Sequence, residues 1–163
     1  MILSEKKGGV LSPQFHLYNE QRDLPIALAS VKKSLSTLLP YLEVECEELS
    51  LYFVTRKRIS ELHAEFFDDP SPTDCITFPI DPLPQVGHLG EVFVCPAVAI
   101  DYANQWGFDP YQEVTLYVIH GLLHLLGYDD LTPGKRRTMR KKEKLCMDHL
   151  MAHQQLIHPP LPR

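Results

Sequence analysis

The run from Val114 to Leu126, VTLYVIHGLLHLL, is apolar on almost every side of a helical wheel. A helix with no polar face must be surrounded by other elements, so the chain is constrained to wrap one core around this segment. Its ends are well signalled. Asp109-Pro110-Tyr111-Gln112 offers an Asp cap, Pro at the first helical position and Gln able to reach back to the cap. Gly127 is a natural stop. A chain of 163 residues, 44% of them hydrophobic, is long enough for one domain with a sizeable core and short for two.

The flanking segments supply the wrapping. Behind Pro25, the spacing of Ile26, Leu28, Ala29, Val31, Leu35, Leu38 and Leu39 predicts an amphipathic helix ending at Pro40. Residues 15–18, 49–55, 75–80 and 89–95 are rich in strand formers, and 68–72 (DDPSP) is a loop by composition. Further helices are expected over 59–67, from Pro96 to about Trp106, and from Thr132-Pro133 to about Gln155. The order lacks a regular βαβ alternation. It therefore predicts an α+β single domain over 1–163, a small mixed sheet of about four strands with about five helices, flexible ends at 1–12 and 156–163, and any metal site on the central buried helix.

That helix carries His120 and His124, followed by Gly127, Asp129 and Asp130. Residues i and i+4 share one helix face, so two imidazoles can point at one ion from a rigid backbone. The glycine lets the chain leave the helix and turn back. A carboxylate, Asp130 or its neighbour Asp129, then supplies a third ligand, and two His plus a carboxylate suit Zn2+, one per chain, or another divalent transition metal. Three protein ligands leave a fourth position for water or substrate, the mark of catalytic zinc. A zinc peptidase would carry Glu after the first His as general base. Here that residue is Gly121, which disfavours a metallopeptidase, and no general base is identified.

Charge is unevenly spread. The net charge of -5 would argue against a nucleic-acid partner, but residues 1–130 hold 8 basic and 19 acidic side chains, and 131–163 hold 8 basic and 2 acidic. On the last helix, with Met139 at zero, Cys146 and Leu150 fall within about 20° while Arg137, Arg140, Lys141 and Lys144 gather on the far side. One face is core, and the opposite face is a cationic stripe suited to phosphate backbone. No apolar run reaches the roughly 18 to 20 residues of a membrane span, and the first nine residues lack a secretory apolar block. Four scattered cysteines without a C-x-x-C pair fit reduced thiols, with no disulfide-linked partner. A soluble protein of the cytoplasm is expected, with no membrane association.

The run His120-Gly-Leu-Leu-His124-Leu-Leu-Gly127-Tyr128-Asp129, with Pro72-Thr73-Asp74-Cys75-Ile76-Thr77-Phe78-Pro79 and Leu89-Gly90-Glu91-Val92, resembles the bacterial YbeY family of rRNA-maturation endoribonucleases, in order over about residues 45–155. The resemblance implies a metal-dependent, single-strand-specific endoribonuclease acting in 16S rRNA 3' end maturation and ribosome quality control, in contact with rRNA and the small ribosomal subunit or its assembly factors. A ribosome-assembly binding protein with a mainly structural metal is the alternative. The resemblance also marks Glu91, Thr73 and Asp74 as pocket candidates. Two departures stand out. Asp130 occupies the place of the family's third histidine, and Phe67 and Asp69 occupy the places of an Arg and a Lys that would clamp phosphate.

Overall fold

A computed structural model describes residues 12–83 and 87–162. The elements in chain order are β1 (Gln14–Asn19), α1 (Leu28–Tyr41), β2 (Glu48–Phe53), α2 (Arg56–Phe67), β3 (Cys75–Pro79), β4 (His88–Val94), α3 (Pro96–Trp106), α4 (Pro110–Leu125) and α5 (Pro133–Ala152). The strands form one sheet in the order β1-β2-β4-β3. β1, β2 and β4 run parallel, and β3 pairs antiparallel with β4. The sheet is therefore mixed, and β3 is one of its two edges.

Strand alternation divides the side chains between the two faces. Leu49, Leu51 and Phe53 of β2 and Val92 and Val94 of β4 point to one face, where they are buried with Leu35, Leu38 and Leu39 of α1, Ile119, Leu122 and Leu123 of α4, and Met139, Cys146 and Leu150 of α5. Each such side chain contributes about 1.5–3 kcal/mol by leaving water. A smaller cluster on the other face joins Ile59 and Leu62 of α2 to Ile76 of β3 and Ala97 of α3. Helix α4 thus lies between the sheet, α3 and α5, as its all-round apolar surface requires.

Three of the departures from the expected boundaries have clear local causes. α1 begins at Leu28 rather than behind Pro25, because Leu24 and Ile26 are buried in the non-helical chain before it and the Gln21 side chain holds Leu24 by both its N–H and its carbonyl. Residue 55 is not strand: Thr55 caps α2, its side chain accepting from the Arg58 N–H. α5 ends at Ala152, and the chain beyond it is not a free end. Ile157 is buried, its N–H donates to Thr115 Oγ1, and the Ala27 N–H donates to the His158 carbonyl. The expected flexible tail 156–163 is thereby corrected at its start, since the apolar Leu156-Ile157 pair finds a place against α1 and α4. The other expected end, 1–12, lies outside the described residues apart from Ser12. No helix among the described residues is long and apolar enough to cross a membrane, and the four cysteines are free thiols.

Candidate metal centre

α4 starts as its sequence requires, with Asp109 accepting from the Tyr111 N–H at 2.8 Å and Pro110 in the first turn. Its approach to the sheet is set at Gly121. A Cβ there would lie 2.5 Å from Val92 Cγ1 and 3.4 Å from Thr77 Cγ2, so only glycine allows this spacing. The same contact leaves no room for a glutamate after His120, a physical reason for the missing peptidase base.

His120 and His124 emerge one turn apart at the other side of that contact. Their Nε2 atoms converge to 2.9 Å. His120 Nδ1 lies 2.6 Å from Glu143 Oε1 of α5, an arrangement that leaves Nε2 free to face an ion. After the helix, Gly127 adopts φ 95°, a backbone position that side chains disfavour, and the chain doubles back under hydrogen bonds from Gly127 N–H to the His124 carbonyl and Tyr128 N–H to the Leu123 carbonyl. The turn separates the two aspartates. Asp129 turns to α5, accepting from Lys135 Nζ at 3.0 Å and from the Leu131 N–H. Asp130 turns toward the histidines, its Oδ2 3.9 Å from His120 Nε2, and its carboxylate forms a compact three-ligand group with both histidines.

The electrostatics derive from this packing. Burial pulls the His120 imidazole down, but the Glu143 hydrogen bond and the carboxylates of Asp74, Glu143 and Asp130 outweigh it and raise its pKa. His124 goes the other way, lowered by burial and then by its neighbour His120. Lys135 holds Asp129 below the usual carboxylate range.

The centre opens into a cleft of about 330 Å³ beside edge strand β3, lined by Thr73, Cys75 and Thr77 with His63 and Phe67 of α2. Thr73 therefore does reach the pocket. Asp74 is fixed beside it, one carboxylate oxygen accepting from the Cys75 N–H at 2.8 Å and from Thr73 Oγ1 at 3.1 Å, and it forms a second three-ligand group with Cys75 and His120. Glu91 does not reach the cleft. On β4 it alternates with Val92, which faces α4, and on the opposite face of the sheet burial and then the Glu91 carboxylate raise the Tyr52 hydroxyl. Arg137, Arg140, Lys141 and Lys144 are all exposed on α5, as the wheel requires; Lys144 is paired with Asp148 at 2.8 Å. Phe67 lines the cleft, while Asp69 accepts from the N–H and hydroxyl of Ser71 in the loop beyond. A larger groove of about 1070 Å³ lies elsewhere, between Phe15, Leu39, Val44 and Tyr128, and none of the three-ligand groups among the described residues lies in it.

Sequence reasoning passed over Glu143 and His63. Glu143 lies about 40° from Met139 on the α5 wheel, a carboxylate on the core side of an otherwise basic helix. His63 precedes Phe67 by one helical turn, so it shares the face that looks into the cleft.

Together these features make the chain a single-domain α+β protein in which two histidines of the buried helix and the Asp130 carboxylate after it bring ligand atoms within 4.8 Å of one another, a candidate metal group. The chain matches the family Endoribonuclease YbeY over residues 16–151 and belongs to it. It is 44% identical over 134 residues to the Endoribonuclease YbeY of Protochlamydia amoebophila, covering 81% of this chain and 89% of that one. The Endoribonuclease YbeY of Chlamydia trachomatis serovar D is 40% identical over 154 residues, 91% of this chain and 94% of that one. The solution structure of TM1509 from Thermotoga maritima superposes with a TM-score of 0.62 at 23% identity, covering 86% of this chain and 91% of that one, a likeness of fold.

Proposed function

We propose that this chain is a zinc-dependent endoribonuclease that cuts single-stranded rRNA, acting in the cytoplasm in 16S rRNA 3' end maturation and ribosome quality control, with the small ribosomal subunit or its assembly factors as partner. The observation that carries the reading is the convergence of His120 Nε2, His124 Nε2 and the Asp130 carboxylate, with both histidines lining a cleft. This donor set suits one Zn2+ per chain. When bound, the ion supplies Lewis-acid polarisation of a phosphate oxygen.

The chain's own residues supply the rest. Glu143 fixes the His120 ring so that one nitrogen faces the cleft. Gly127 brings Asp130 rather than Asp129 to the histidines. Thr73 and His63 present polar atoms on the cleft wall. RNA backbone is held by Arg137, Arg140 and Lys141, a reading supported by their exposure on α5 and by the absence of any ion pair to them among the described residues.

Phe67 and Asp69 favour one rival, a ribosome-binding protein whose metal is structural, because no Lys or Arg among the described residues lines the cleft to clamp a phosphate. One experiment separates the readings. Untagged protein and its His120→Ala and His124→Ala variants are assayed for bound metal and for cleavage of rRNA. The proposal expects about one ion per chain, cutting of single-stranded rRNA, and loss of both in the variants. Metal retained by either variant, or co-sedimentation with small subunits without any cutting by the metal-loaded protein, overturns it.

A further inference from the structure

Carboxylates crowd His120. Glu143 lies 2.6 Å from its Nδ1, Asp130 lies 3.9 Å from its Nε2, and Asp74 offers an oxygen within 4.8 Å of a ring nitrogen. Three such charges outweigh a divalent ion, so a phosphodiester approaching the centre meets net repulsion unless a cation stands beside it. No Lys or Arg among the described residues lines the cleft. Arg137, Arg140, Lys141 and Lys144 lie across α5 from its core face, and Lys135 is engaged by Asp129 at 3.0 Å.

Arg136 is placed differently. Thr132 fixes the first turn of α5, its hydroxyl accepting from the Lys135 N–H and its carbonyl from the Arg136 N–H at 2.8 Å. On the helical wheel Arg136 falls about 60° from Met139 and about 20° from Glu143, so the two share one side of α5 two turns apart. That side meets the centre at both places: Glu143 at His120, and Arg136 at the Asp130 carbonyl, which accepts from its Nη1 at 3.3 Å. A guanidinium carries five N–H donors, and Arg136 is exposed and makes no ion pair among the described residues. Its remaining donors are open to a ligand, one residue's breadth from the carboxylate that joins the histidines.

We propose that Arg136 is a substrate-binding residue, its guanidinium holding a phosphate of the RNA strand beside Asp130. The inference rests on the endoribonuclease reading and deepens it, since it names the cation that brings an anionic substrate to an acidic centre. The planar fork pairs with two oxygens of one phosphate, which fixes the strand's direction as well as attracting it. The bond to the Asp130 carbonyl holds the arginine at the turn that carries the ligand, so the phosphate contact and the centre keep a constant separation. The far-side stripe then acts on RNA outside the centre, by charge alone.

The test compares the full-length, metal-loaded protein with its Arg136→Gln and Arg136→Lys variants. An end-labelled single-stranded oligoribonucleotide of the 16S rRNA 3' end is the substrate, and zinc affinity is measured separately by competition with a chelator. In Arg136→Gln, kcat/KM should fall by about tenfold or more, the loss of one charge-assisted contact. The slope of log kcat/KM against log salt should become shallower by about 0.7, the value for one phosphate on a single strand. Arg136→Lys should keep the wild-type slope and recover part of kcat/KM, because it retains the charge without the fork. Zinc affinity should stay within about twofold of wild type in both. A kcat/KM for Arg136→Gln within about twofold of wild type overturns the proposal and leaves the endoribonuclease reading standing. A zinc affinity that falls in step with kcat/KM also overturns it, by making the arginine a brace for the Asp130 turn. Wild-type protein that does not cut the substrate overturns the endoribonuclease reading, and the proposal with it.

Discussion

Removing the carboxylate behind His120 is the most direct way to ask whether the histidines are held for a metal. Glu143 Oε1 lies 2.6 Å from His120 Nδ1, and the two side chains keep only 15% and 18% of their exposure. In Glu143→Ala the ring loses its orienting partner, and the Nδ1 hydrogen is left half-buried without an acceptor, which costs about 1–3 kcal/mol. Loss of such a partner lowers metal affinity by about 10- to 100-fold, equivalent to about 1.4–2.7 kcal/mol. Glu143→Gln keeps a carbonyl oxygen to accept from Nδ1 but removes the charge, so its loss should fall near the tenfold end. Competition of each protein against a zinc-sensitive chelator measures the affinities, and circular dichroism reports that the fold is kept. A Glu143→Ala protein that binds zinc within about twofold of the wild type would refute the reasoning, because a partner that holds the ligand in place cannot be removed without cost.

Three further outcomes are expected. Gly121→Ala places a methyl 2.5 Å from Val92 Cγ1; overpacking costs about 1–3 kcal/mol against about 1 kcal/mol of helix propensity regained, so urea unfolding should report a net loss, and a gain would mean that α4 and β4 are less tightly apposed. Glu113 is buried in the first turn of α4 and burial raises its pKa above 4.5, so the folded state holds that proton more tightly and stability falls as pH rises from the unfolded value through the folded one. Glu113→Gln should therefore stabilise the protein at neutral pH and lose that advantage below about pH 4; a gain independent of pH would dismiss the charge as the cause. Neutralising Arg137, Arg140 and Lys141 together should weaken single-stranded RNA binding and reduce the slope of log affinity against log salt by about two to three, and an unchanged slope would remove α5 from the RNA path.

The departures between sequence and structure have local causes. The α4 boundaries, its burial and the pairing of His120 with His124 were readable because cap chemistry and helical periodicity are set within a few residues. Glu91 was misplaced because β4 is partly covered on both faces, by α4 on the Val92 side and by the Tyr52 and Phe93 ring stack on the other. Its hydrophobic alternation is accordingly blurred. Pro159, Pro160 and Pro162 give the tail after α5 the composition of a fraying end, yet buried Ile157, with Leu156 beside it and hydrogen bonds to Thr115 and Ala27, seats its start.

Local chemistry along the chain specifies the scaffold of the centre: a buried helix, two imidazoles one turn apart, and a glycine after which the chain must turn. These depend on contacts within about one or two helical turns. Tertiary packing alone sets Glu143 behind His120 from 23 residues away and brings Cys75 into the cleft from the sheet, whereas the local turn after Gly127 selects Asp130 over Asp129. A ligand's direction is set by how α5 and β3 dock on α4, and docking is governed by the summed burial of residues that no local pattern brings together.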